Sequence, residues 1–424
     1  MPYQVALTVV APVRAGAVDD LKHLLATMGG GVANGSVIDF GVLTGVHFAR
    51  LILVDEDRDH SGATLPASLI LLSDLDVSVE THLAELVDTA GAGIDRVFGH
   101  CEGYPAGEPR RGDRLSYLRD HVVKEAATYV NTTGRTAQQI RREAELRDAI
   151  GDFLDREDHD PAGGDAAEVR RAVRELVERE PRLAWAGKPA ERPGLFARLR
   201  ELAHAVALPL LLLPLLPLAL LGAPIFALVL RLHERRDEAP HVKPGEELVH
   251  ELAALEDHLV QNPFTALGQV KPGRFRRLTL SAILFLLNHA TRHLFNRGNL
   301  SGVKTIHFAR WVFIDDKRRM FFASNYDGSL ESYMDDFIDK VAWGLNLVFS
   351  NGAGYPRTRW LVFGGAKDEL AFKDYLRLHQ VPTRVWYSAY GQLTALNVAQ
   401  NERIRAGLHG DLSREDERTW VQTL

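Results

Sequence analysis

With 424 residues, 46% of them hydrophobic and 25% charged, the chain has an ordinary globular balance and length enough for about two to three domains. Its formal net charge of −6 lacks the basic excess that phosphate backbones demand, which argues against a nucleic-acid partner. The single cysteine, Cys101, excludes an internal disulfide framework and any zinc site built from several thiolates, and fits a reducing cytoplasm.

The opening MPYQVALTVVAPVRAG has no basic residue ahead of its apolar stretch, so it reads as a strand over 3–13 rather than a signal peptide, with a helix over 16–28 behind it. The segment GGGVANG at 29–35 is followed by a strand and lacks the lysine of a phosphate loop; it reads as a flexible loop. His47-Phe48-Ala49-Arg50 then leads into LILVD, and ASLILLSDL follows, two β-branched and apolar runs that predict antiparallel strands joined by a hairpin around RDHSGATLP. Asp76 stands where it would cap an amphipathic helix over 78–97, with Glu80 in the first turn. The order so far is β-α-β-β-α.

Residues 113–180 carry charged, helix-periodic stretches such as LSYLRDHVVKEAATYV and AEVRRAVRELVERE and predict solvated or packing helices. From Ala205 to Leu230 there are 26 residues without a charge, twelve of them leucine, which is apolar enough to enter a bilayer. Pro209, Pro214, Pro217 and Pro224 interrupt it, so a straight span is not expected. Arg198 and Arg200 precede the run and Arg231, Arg235 and Arg236 follow it, leaving no preferred orientation. Arg274 to Phe295 adds a basic-flanked apolar helix for the same interface. Its His289 and His293 share a face at i, i+4 spacing, near Glu247-x-x-His250 and His258, but the insert lacks the second Glu-x-x-His of a dinuclear carboxylate site, and no metal is assigned.

Beyond the insert the first pattern returns. His307-Phe308-Ala309-Arg310 leads into WVFID, and residues 321–356 align without gaps on 70–105, sharing Ser73/Ser324, Asp76/Asp327, Ser78/Ser329, Glu80/Glu331, Gly93/Gly344 and Phe98/Phe349; both end in Gly-Tyr-Pro. The aligned partner of Cys101 is Gly352, which speaks against a catalytic thiol. After the second copy a strand is predicted over Arg359–Phe363, a helix over 367–379, a strand over 383–389 and a helix over 392–407.

The β-α-β-β-α order of copy one, with the repeated strand-strand-helix of copy two and the strands and helices that follow it, resembles the ferredoxin-like unit of the dimeric α/β-barrel superfamily. That resemblance implies an α+β chain in which tandem ferredoxin-like repeats, 1–110 and 300–424, form an intrachain α/β barrel, with 111–299 a helical membrane-associating insert. Two halves of one barrel share a compartment. The apolar segment 205–230 should therefore enter and leave on one side, as a monotopic or re-entrant anchor on the cytoplasmic face of the membrane.

In each copy histidine and arginine lie three apart on a strand, so only one of each pair is expected to face a shared cavity. A structural role for both is one reading; His307 and Arg310 as site residues is the other. Ser324-Asn325-Tyr326-Asp327-Gly328 resembles the Gly-x-x-Asp-Gly signature of dye-decolorizing haem peroxidases over five residues, with Ser324 in place of the first glycine. The resemblance implies haem, Asp327 as the distal acid/base and His379 or His409 as axial ligand; Asp327 as a plain helix cap is the alternative. The expectation is a membrane-associated, haem-dependent oxidoreductase acting on an apolar small molecule. The competing reading is a non-catalytic lipid-binding or scaffold protein, and a cofactor-free barrel monooxygenase is a third.

Overall fold

The structure, a computed structural model, describes residues 4–29, 37–156, 165–190, 194–256, 260–296, 298 and 300–424; most of GGGVANG, and His258, lie outside them. The fold is α+β, with two four-stranded antiparallel sheets and, among the described residues, thirteen α-helices. The strands are β1 (Val5–Pro12), β2 (Val46–Val54), β3 (Ser68–Leu75), β4 (Ala127–Val130), β5 (Gln261–Gln269), β6 (Ile306–Ile314), β7 (Arg319–Asp327) and β8 (Thr383–Ser388). One sheet runs β1-β3-β2-β8 and the other β5-β7-β6-β4. The two sheets have one plan, and each takes its fourth strand from the other half of the chain: Tyr129 of β4 pairs with Ala309, and Tyr387 of β8 pairs with Ala49.

As assigned, these are separate sheets and not a closed barrel. They pack face to face. Ile52, Val54, Ile70 and Leu72 of one meet Val312, Ile314, Phe321 and Ala323 of the other in a shared apolar layer. The outer face of the first sheet is covered by α1 (Val18–Gly29) and α2 (Val79–Phe98), that of the second by α9 (Arg274–His293) and α10 (Leu330–Phe349). Strands buried on both faces cannot show polar alternation, which is why they read as continuous apolar runs.

The second half thus begins at β5, within the range 111–299 read as insert, and α9 is the counterpart of α1 over the second sheet. Three further expectations need correcting. The pattern over 113–130 is helical only in α3 (Arg111–Asp120); residues beyond it extend along β1, with Val10 N–H donating to His121 O and Val123 N–H to Thr8 O, before forming β4. Residues 359–363 join no large sheet but contribute to a small ribbon, 358–359 with 363–364. Ser78 and Ser329, not the aspartates, cap α2 and α10, accepting from Thr81 N and Ser332 N at 3.1 and 3.3 Å.

Between the halves run α4 (Ala137–Arg156), α5 (Ala166–Arg179), α6 (Leu195–Leu212), α7 (Leu216–Arg236) and α8 (Glu246–Glu256); α11 (Glu369–His379), α12 (Ala395–Gly407) and α13 (Arg414–Val421) close the chain. The chain does not turn back between α6 and α7. Leu213–Leu215 tighten into a 3₁₀ turn, Leu212, Leu213, Leu215 and Leu216 all keep right-handed helical backbone, and the result is one rod from Leu195 to Arg236. The 3₁₀ turn places Pro214 and Pro217 near the start of a helical segment, where a missing N–H costs least. A re-entrant hairpin is therefore not what forms. The rod lies antiparallel to α9: Glu201 pairs with Arg292 at 2.6 Å near the end of α9, and Phe226 and His233 meet Phe275 at its start, ring centroids 5.4 and 4.9 Å apart. Those contacts are separated by about 26 Å along α9.

His82 on α2 is fully buried with both ring nitrogens unpartnered, and burial pushes its pKa down to about 4. Below the ordinary pKa near 6.5 the unfolded chain takes up a proton that the folded chain refuses. Stability present at neutral pH should fall between pH 6.5 and 4 by roughly 3 kcal/mol on account of this residue. Urea denaturation at pH 7 and 4.5 should show a shallower pH dependence in His82→Leu than in the parent.

Candidate functional site

The repeated histidines and arginines meet between the sheets. Both β2 and β6 shift register immediately after their first residue, between Val46 and Phe48 and between Ile306 and Phe308. A bulge of this kind adds a residue and breaks strict alternation. His47 and Arg50 accordingly both point inward, as do His307 and Arg310, correcting the expectation that only one of each pair could. Phe48 and Phe308 meet at 5.6 Å between centroids, and each histidine ring lies on the opposite half's phenylalanine, 5.0 and 5.5 Å away.

The arginines exchange sheets. Arg50 donates to Phe264 O at 3.0 Å, Thr265 Oγ1 at 3.1 Å and Ser324 O at 2.8 Å, and to Asn325 Oδ1. Arg310 donates to Leu7 O at 2.6 Å, Thr8 Oγ1 at 3.3 Å and Ser73 O at 2.9 Å, and is ion-paired with Asp74. Position for position the sets correspond, except that Asn325 replaces Asp74. Burial pulls Arg50 down to about 9, with Asp74 opposing that shift and Arg310 adding to it, so Arg50 remains a cation at neutral pH.

The aspartates also hold fixed posts. Asp76 Oδ1 bonds His47 Nε2 at 2.6 Å and its Oδ2 accepts from Ala137 N at 2.7 Å; Asp327 does the same with His307 Nε2 at 2.7 Å and Ala395 N at 2.8 Å. Each carboxylate thus ties its histidine to the first turn of α4 or α12, a helix other than the one expected. The space beside the two arginines has a volume of only about 10 Å³, room for at most about one water.

These residues do not fit haem. Both oxygens of Asp327 are engaged, leaving no free acid for peroxide. Asp327 pairs with Gln261 at one end of β5, whereas the ring of His379 lies against Gly268 near the other end, about 23 Å along the strand. His379 Nδ1 bonds Tyr375 O at 2.8 Å, and His409 lies next to Leu408 of the separate α4–α5–α12–α13 core. The predicted distal and axial residues therefore share no cavity.

A cavity does lie elsewhere, on the outer face of the second sheet between α9 and α10. It measures about 340 Å³, within the range of small-molecule sites, and its lining is almost wholly apolar. Ile283 and Leu287 of α9, Phe337 and Val348 of α10 and Trp311 and Phe322 of the sheet form the walls. At its mouth Leu286 and Trp343 are each 49% exposed. The Trp311 indole N–H is buried without a partner, the one side-chain donor of that kind along the walls among the described residues.

Among the described residues, the corresponding place in the first half is filled. There Ile38, Phe40 and Leu43, from the longer connection between α1 and β2, pack against Leu83, Leu86 and Ile94 of α2. Gly93 admits that connection, because a Cβ there would lie 1.8 Å from Val37 O. Its counterpart Gly344 faces the open cleft, where only Val341 Cγ1 would crowd a Cβ, at 2.9 Å. Trp311 stands where the first half has Leu51, and Trp343 where it has Ala92. The second copy is the richer in aromatic residues, and the structure sets several of them around a cleft. Compared with family models, with curated proteins and with solved structures, the chain matches none.

The paired glycines give a direct check. Gly93→Ala forces a side chain into backbone and should destabilise the protein by several kcal/mol, whereas Gly344→Ala gains helix propensity of about 1 kcal/mol against a small clash and should be near neutral. Chemical denaturation of the two variants measures the contrast.

Proposed function

We propose that the protein is a membrane-surface protein that binds an apolar molecule bearing one acceptor oxygen, of the acyl-lipid class, in the cleft between α9 and α10. The observation that carries this reading is the opening of that cleft in one half of a duplicated fold, with an unpartnered indole N–H in its wall. A turn of the indole toward the cleft would let a carbonyl oxygen take that hydrogen bond while the hydrocarbon chain fills the rest. The apolar rod supports the setting: residues 209–226 are exposed at every position, with arginines beyond both ends of the uncharged stretch at the level headgroups would occupy. Because both ends of the rod rest on one body, it would lie in the plane of the membrane rather than cross it, on the cytoplasmic face if the body is cytoplasmic. α9 is at once the rod's bed and a wall of the cleft, which gives a lipid a short path between them.

We read the fold as two ferredoxin-like units. Segments 121–123 and 380–381 extend the edges of β1 and β5 before forming β4 and β8 on the opposite sheets, and this pairing supports an eight-stranded barrel in which each half lends the other its last strand. The packed interior suits a scaffold, and the lipid-binding reading draws on the cleft instead. The oxidoreductase reading would need a redox group placed at that cleft and not between Asp327 and His379.

Flotation with phosphatidylcholine–phosphatidylglycerol vesicles should carry the intact chain upward, and replacement of Leu212 and Leu220 by Asp should abolish it. Oleic acid methyl ester, titrated against tryptophan fluorescence in detergent, should bind about 2- to 10-fold more weakly to Trp311→Phe, which keeps the wall and removes one hydrogen bond. An affinity left unchanged in Gly344→Leu, where the new side chain fills the cleft, would overturn the assignment.

A further inference from the structure

His204 on the apolar rod and His289 and His293 on α9 converge at the rod's first anchorage. One ring nitrogen from each lies within 4.8 Å of the other two, and His204 Nδ1 and His293 Nε2 are 2.8 Å apart. The rings overlap, with centroids 5.0 Å apart for His204–His293, 4.7 Å for His289–His293 and 5.8 Å for His204–His289. The two histidines of α9 share a face because they lie four residues apart, and the third comes from a separate helix, so the group joins two elements that otherwise touch sparsely.

We infer that His204, His289 and His293 form a three-imidazole site for a first-row divalent metal ion of the zinc type, which fastens the apolar rod to the body of the protein. Three nitrogen ligands around a tetrahedral ion leave one position for water. Zinc–nitrogen bonds of about 2.0–2.1 Å require nitrogens about 3.3 Å apart in a tetrahedron. The present spacings bracket that value, and because His204 is exposed and the other two are half-buried, modest ring rotations reach it. Electrostatics do not oppose the ion. Arg292, next to His293, is already neutralised by Glu201, which lies one turn before His204 on the rod. That ion pair also fixes the register that presents His204 to α9. The histidine pair alone was legible in the sequence; the third ligand lies 85 residues before His289 and no local spacing connects it.

The site stands independently of the lipid-binding reading. Zinc chloride, titrated calorimetrically into the metal-stripped full chain in detergent, should bind one ion per chain, and cobalt(II) should give the visible absorption of a tetrahedral site. His204→Ala changes an exposed side chain and should fold normally, yet lower zinc affinity at least 10-fold; His289→Gln should do the same. His250→Gln, an exposed histidine on α8 outside the cluster, removes no ligand and should leave zinc affinity unchanged. Absence of stoichiometric zinc binding, or equal affinity in His204→Ala and the parent, would overturn the proposal.

Discussion

The reciprocal arginine exchange is the interaction on which the rest of the structure depends. Arg50 reaches from the first sheet to backbone carbonyls of the second, and Arg310 returns the same contacts in the opposite direction. A guanidinium presents five donors in a fixed plane, so each one clamps two strands of the facing sheet and fixes both spacing and register. The exchange also fixes how the halves sit on one another, because each sheet must present these carbonyls where the other presents its arginine.

Such burial of charge is tolerable only when fully bonded, and the two ends differ in how this is met. Arg310 has Asp74, whereas Arg50 has the neutral Asn325, whose side chain also donates to Asp74 at 3.2 Å and accepts from Trp386 Nε1 at 3.1 Å. One carboxylate therefore serves two guanidiniums through an amide relay. A second aspartate would have added its own desolvation cost. The His–Asp pairs extend this network outward to the first turns of α4 and α12, linking the sheet interior to the surrounding helices.

Duplication explains why the conserved plan and the candidate site are different places. Residues present in both halves maintain the clamp: histidine, arginine, serine and aspartate recur because the two sheets need the same bonds. What distinguishes the halves lies on their outer faces. The first closes its helix pair with Ile38 and Phe40, while the second has a shorter connection and larger aromatic residues that leave a cleft. The same kink occurs in both covering helices, at Ala90 and at Val341, so the helix shape is inherited and only the filling differs.

The sequence by itself determined the duplication, the strand and helix order of the first copy up to α2, the matching run from β6 to α10 in the second, and the apolar stretch of the rod, since these rest on local periodicity and on residue identity repeated at a fixed offset; β5 and α9, which bear no repeated identities, were hidden in the insert. It also located the aspartates, though it assigned them to the wrong helices, because a cap is judged from neighbours in the chain while Asp76 and Asp327 bond helices some sixty residues away. Tertiary structure decided the rest. The inward turn of both His47 and Arg50 follows from a bulge, which depends on the partner strand and leaves no mark in alternation. The exchange of β4 and β8 between sheets is a long-range pairing, and β4 was hidden inside a helix-like pattern of charges. The path of the rod along α9, and with it the meeting of His204 with His289 and His293, depends on contacts between residues far apart in sequence, where no periodicity can report them.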